Sequence, residues 1–135
     1  QQRMTIAIFG VGSIDSDVPS HVYTGGYLDS TDIDSLEASG AAGDVATVFF
    51  RDDGSDQGIV LNDRSSGPDL ADLRKVRRRI CVVSGAKKIK GLRGALAAGL
   101  ATDLILDEIT ARTLIEQDGA LSDPIFGLLN SLDRF

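Results

Sequence analysis

Residues 79–92 read RICVVSGAKKIKGL, from Arg79 to Leu92, and this stretch decides the fold. Arg79 to Val83 is a short, β-branched apolar run, and Ser84-Gly85 stops it. Ile89, Leu92, Leu96 and Leu100 then recur at helical spacing. The order is strand, glycine turn, helix. On either side the same grammar repeats. Thr5 to Phe9 is an apolar run that enters Gly10-Val11-Gly12-Ser13, and Leu104 to Leu106 leads into a helix opened by Asp107 and carrying Ile109, Leu114 and Ile115. Strands alternating with helices at this spacing predict an α/β fold with a mainly parallel sheet flanked by helices. The three strands Thr5–Phe9, Arg79–Val83 and Leu104–Leu106 are expected to be neighbours, joined by right-handed crossovers.

Between these units the signals are weaker. Thr31 is a candidate N-cap for a short helix through Ile33, Leu36 and Ala38 that ends at Gly40. Val45 to Phe50 reads as a second strand, Arg51 to Ser55 as a turn, and Gly58 to Leu61 as that strand's returning partner. Asp69 to Val76 carries acids first and bases last, as a helix dipole favours. The tail from Ser122 to Phe135 places Ile125, Leu128, Leu129 and Leu132 at helical spacing and predicts a docking helix or an oligomer contact; residues 1–121 form the body of the domain.

Composition excludes several functions. The 135 residues are one domain's worth of protein, 42% hydrophobic and 25% charged. A net charge of −6 and 5% aromatics provide neither the basic face nor the stacking platform of a nucleic-acid binder. The bases Arg74-Lys75 and Arg77-Arg78-Arg79 read as helix-end and surface charges. Cys81 is the only cysteine and sits in an apolar run, so it reads as core in a reducing, cytoplasmic setting, with no membrane-spanning stretch or signal peptide. His21 is the only histidine and lies in a loop, without an evident acid–base partner. No His/Cys cluster or spaced carboxylate run suggests a metal, and Gly10-Val11-Gly12 lacks the third glycine of a dinucleotide loop, so no cofactor is expected.

In an open α/β sheet a ligand collects at the carboxyl ends of the strands, where backbone N–H groups and helix N-termini meet an anion. Lys87 and Lys88 fall in the first turn of their helix, where a cation opposes the dipole unless an anion is present. Asp44 reads either as a turn residue or as a carboxylate for sugar hydroxyls, and Asp107 either as an N-cap or as a ligand group.

With these loops placed, the chain resembles the sugar-binding domain of the SorC family, a group related to the DeoR regulators. The resemblance rests on Gly10 to Ser13, on Ala42-Gly43-Asp44 followed by Phe49-Phe50 and Asp53-Gly54, and on Val82-Val83-Ser84-Gly85 with Lys88 three positions on. It continues through Leu92 to Leu96 and Gly99 to Asp107-Glu108-Ile109-Thr110-Ala111. It implies a Rossmann-like fold similar to glucosamine-6-phosphate deaminase and ribose-5-phosphate isomerase, and a non-catalytic role: binding a phosphorylated sugar and signalling to a separate helix-turn-helix domain, the only route to DNA. It also implies that Lys88 contacts the phosphate or a sugar oxygen, and that Gly10, Gly12, Ser13, Gly43, Asp44, Gly85 and Asp107 line the cleft. Two positions depart from the family: Leu106 stands where Thr is usual, and Arg51 where an acid is usual. The resemblance further implies that the chain corresponds to the C-terminal part of that domain. A face left for the remaining part predicts self-association, hence a homo-oligomer. The rival readings are a sugar-phosphate isomerase or deaminase, and a structural dimerisation module without ligand.

Overall fold

A computed structural model describes residues 4–16 and 20–117. The tail from Ser122 onward therefore lies outside the described residues, as does Pro19. The elements run β1 (Ile6–Phe9), α1 (His21–Thr24), α2 (Ser30–Ala38), β2 (Ala41–Val45), β3 (Val48–Arg51), α3 (Leu70–Arg74), β4 (Arg78–Val83), α4 (Ile89–Ala97), β5 (Asp103–Leu106) and α5 (Glu108–Gln117). Short 3-10 turns occupy Val60–Arg64 and Ala86–Lys88.

The three strands expected to be neighbours form one parallel sheet in the order β1-β4-β5, with Ala7 opposite Arg79 and Cys81 opposite Leu104. Their inward residues Ala7, Cys81, Val83 and Leu104 join Leu70 and Leu73 of α3, Leu92 and Ala95 of α4 and Leu114 of α5 in the main core. Cys81 is fully buried, and burial pushes its thiol up to about 12.

Val45 to Phe50 is not one strand. The chain reverses at Ala46 and Thr47, and β2 pairs antiparallel with β3. Both turn residues have positive φ, 50° and 70°, the left-handed geometry that a two-residue hairpin of this hand requires and that Asn or Gly usually supplies. Gly58 to Leu61 does not return as a strand: this region runs into the turn at Val60–Arg64. Asn62 there takes the place of a neighbouring strand, accepting the Phe49 N–H at 2.8 Å and donating to the Phe49 carbonyl at 2.9 Å. The cap of α2 is Asp29 and not Thr31, because Asp29 accepts the Asp32 N–H while Asp32 accepts the Asp29 N–H, a reciprocal capping box. In α5 the buried residues are Thr110 and Leu114, whereas Ile109 and Ile115 are exposed.

The basic cluster is structural. Arg79 donates to the carbonyls of Arg74, Val76 and Leu100, which closes the ends of α3 and α4 against β4. Arg78 pairs with Asp103 at 3.2 Å, and Lys75 with Asp72 at 2.7 Å. Arg51 ties the end of α2 to the following loop, donating to the carbonyls of Ser39 and Gln57. Leu106 packs against the main core.

Candidate functional site

The loop after β1, the β2–β3 hairpin and α4 cross at three glycines. Gly12 and Asp44 form an isolated antiparallel bridge, N–H to carbonyl at 2.9 and 3.1 Å. A Cβ on Gly43 would lie 2.6 Å from the Gly12 carbonyl oxygen, and one on Gly91 would lie 2.9 Å from Val11. A Cβ on Gly12 would run into the Asp44 carboxylate. Only glycine allows so close an approach of three backbones.

This crossing fixes one wall of a cavity of about 740 Å³ beyond the carboxyl ends of β1 and β4. Gly10 and Gly12 contribute from the first loop, and Lys88, half-buried at the N-cap of α4, from the other. Lys87 and Lys88 are not in the first α-helical turn: they belong to the 3-10 turn that precedes it. Asp44, Ala46 and Thr47 line the cavity from the hairpin, Arg64, Ser65 and Ser66 from the turn after β3, and Val22, Leu28, Phe49 and Leu61 from the smaller of the two hydrophobic clusters.

Asp44 is the chemically unusual group. It is 4% exposed, and burial raises its pKa above the ordinary carboxylate value, opposed by the Thr47 N–H, the Ser20 hydroxyl and the charge of Lys88. Oδ2 accepts the Thr47 N–H at 3.2 Å. Oδ1 has no hydrogen-bond partner among the described residues. A buried carboxylate oxygen left this way is costly unless a ligand completes it.

The other sequence-predicted residues lie behind the cavity. Ser13 and Gly43 are buried and do not line it. Gly85, at φ 116°, donates its N–H to Asp107 Oδ2 at 3.2 Å and to Thr110 Oγ1 at 2.8 Å, so that N–H is already engaged. Asp107 caps α5 through the Thr110 N–H at 2.8 Å, and the Ser84 hydroxyl together with these donors holds its carboxyl well below the usual range. Asp107 and Gly85 thus form a clasp that fixes the Lys88 turn against α5.

Sequence reasoning missed Arg64, Thr47 and the aromatic rim. Arg64 pairs with Asp32 at 2.7 Å, and the Thr47 hydroxyl lies 2.8 Å from that of Ser65. His21 belongs to α1 and not to a loop, and it lines the cavity with Tyr27, their rings edge to face at 5.7 Å. These residues come from segments distant in sequence, so no spacing rule could have gathered them.

A parallel α/β sheet with a polar-floored cavity at its strand ends is the architecture of a small-molecule-binding module. Residues 1–116 match the family described as "Putative sugar-binding domain", and the chain belongs to that family. It is 33% identical to the deoxyribonucleoside regulator of Bacillus subtilis over 114 residues, 84% of this chain and 36% of that protein. It is 27% identical to the sorbitol operon regulator of Klebsiella pneumoniae, covering 84% and 35%. Among solved structures it is similar to "a domain of a possible sugar-binding transcriptional regulator" from Arthrobacter aurescens TC1, with 66% identity, a TM-score of 0.76, and coverage of 84% of this chain and 42% of that one. The full-length sorbitol operon regulator SorC from Klebsiella pneumoniae superposes with a TM-score of 0.72 at 27% identity, covering 84% and 36%. The chain therefore spans about a third of the length of these curated relatives. No helix of the described residues is long and apolar enough to cross a membrane.

Proposed function

We propose that this chain is the effector-sensing part of a transcription regulator, and that its cavity takes a small phosphorylated sugar in the cytoplasm. Lys88 meets the phosphate or a sugar oxygen, and Oδ1 of Asp44 accepts a sugar hydroxyl. Gly10 and Gly12 bring backbone to the ligand, while Ser13, Gly43, Gly85 and Asp107 hold the walls in place. Binding is passed to a separate helix-turn-helix domain, which alone contacts DNA, and the regulator works as a homo-oligomer. The observation that carries this reading is the buried, unpartnered oxygen of Asp44 in a cavity that also holds a lysine.

His21 shares that cavity with Asp44, which keeps acid–base chemistry on a bound sugar phosphate as the reading to be tested against. The relatives named above are regulators, and a sensor breaks no bond. A thermal-shift panel of sugar phosphates and their unphosphorylated sugars separates the two. A ligand at 100 times its Kd stabilises the fold by about 2.7 kcal/mol. Stabilisation by a sugar phosphate that is recovered unchanged supports the sensor; conversion of the sugar phosphate supports an enzyme. A flat panel removes the ligand-binding reading.

A further inference from the structure

Resting on the sugar-phosphate reading of the cavity, we propose that Arg64 and the hydroxyls of Thr47, Ser65 and Ser66 form a second anion subsite in it, and that the ligand is a phosphorylated sugar acid whose carboxylate this subsite reads. Besides His21, two basic side chains line the cavity among the described residues: Lys88 at the N-cap of α4 and Arg64 in the turn after β3. Lys88 figures among the charges that act on the Asp44 carboxyl and Arg64 does not, which sets Arg64 apart from the Lys88 and Asp44 end.

Arg64 is aimed before a ligand arrives. Its Nη1 donates to Asp32 Oδ1 at 2.7 Å, while Oδ2 of Asp32 accepts the Asp29 N–H in the capping box of α2. The Asp32 side chain is 16% exposed and held from two sides, whereas that of Arg64 is 61% exposed. An exposed ion pair of this kind adds little to stability. A guanidinium carries its N–H donors in a rigid fork, and the bond to Asp32 leaves most of that fork to the cavity. The hydroxyls beside it also have a donor to spare. Those of Thr47 and Ser65 lie 2.8 Å apart, and Ser65 Oγ accepts the Gly67 N–H at 3.0 Å. Their two protons serve one bond between them, so whichever hydroxyl donates, one proton is left for a ligand. Charge selects the anion. Asp32 already compensates part of the Arg64 charge. A carboxylate brings a single negative charge and fits the planar fork, whereas a second phosphate brings about 1.5 to 2 and would be left undercompensated.

The test is calorimetric titration of the chain with phosphorylated tetronic, pentonic and hexonic acids, each against the alditol phosphate of the same length, which bears a neutral hydroxymethyl group in place of the carboxylate. At least one acid should bind about 10-fold or more tighter than its alditol phosphate, the effect of a hydrogen bond to a charged group. In Arg64→Ala that ratio should fall to about one, and Arg64→Lys, which keeps the charge and loses the fork, should retain only part of it. Melting curves verify that both variants fold; if Arg64→Ala does not, Arg64→Lys carries the comparison. Alditol phosphates that bind as tightly as the acids would overturn the second subsite and leave the sugar-phosphate reading standing. No binding by any phosphorylated compound would overturn both. A preference that survives Arg64→Ala, or an alditol bisphosphate bound more tightly than the acid, would also overturn the assignment.

Discussion

Oδ2 of Asp44 accepts the Thr47 N–H at 3.2 Å across the tip of the β2–β3 hairpin, while Oδ1, packed against Gly12, is left without a partner among the described residues. One side chain therefore both builds the turn and carries the unsatisfied acceptor of the cavity. Because burial raises its pKa, the charged form is less stable folded than unfolded. Its penalty is absent below the ordinary carboxylate pKa, grows as pH rises from there toward the folded pKa, and is constant above it. Asp44→Asn should thus equal or exceed the unaltered chain in melting temperature at pH 7, lose that advantage near pH 3, and bind sugar phosphate more weakly. Thermal melts across pH with and without ligand check all three.

Asp107 should behave in the opposite sense. Its carboxyl is held below the usual range by Ser84, Thr110 and Gly85, so it stabilises the fold above the ordinary carboxylate pKa, and that contribution fades as pH falls toward the folded pKa. Asp107→Ala should lower the melting temperature at pH 7, with the difference from the unaltered chain shrinking in acid. Its effect on ligand affinity should be smaller than that of Lys88→Ala, since Asp107 does not line the cavity.

Ala46 sits at φ 50°, where a side chain costs roughly 1–2 kcal/mol relative to right-handed geometry. Ala46→Gly should stabilise the chain by about 1 kcal/mol, read by urea denaturation at constant slope.

The glycine crossing gives an internal contrast. A Cβ at Gly10 would make ordinary contact, 3.6 Å from the Val82 carbonyl oxygen, whereas one at Gly12 would displace the Asp44 carboxylate. Gly12→Ala should cost roughly 1–3 kcal/mol and abolish binding, and Gly10→Ala should cost less than 1 kcal/mol, by the same denaturation.

These contrasts show where the sequence was legible. β1, β4 and β5 could be read because each is an apolar run stopped by glycine or an acid, and local pattern suffices for that. The hairpin could not, because Ala46 and Thr47 carry none of the Asn, Asp or Gly that announce such a turn, so Val45 to Phe50 looked continuous. Asp107 could be seen as an N-cap, but its hold on Gly85, 22 residues away, could not. Arg64 and His21 reach the cavity only through tertiary folding.

The most direct test is calorimetric titration of the chain with the sugar phosphate that stabilises it most, repeated with Lys88→Ala, Lys87→Ala and the unphosphorylated sugar. Lys88 lines the cavity and is half-buried, while Lys87 is exposed. Losing a hydrogen bond to a charged group costs roughly 1.5–3 kcal/mol, about a 10- to 150-fold weaker Kd. Lys88→Ala and removal of the phosphate should each show that loss, with Lys87→Ala within about twofold of the unaltered chain. Equal losses from both lysines, or undiminished binding by Lys88→Ala, would contradict it.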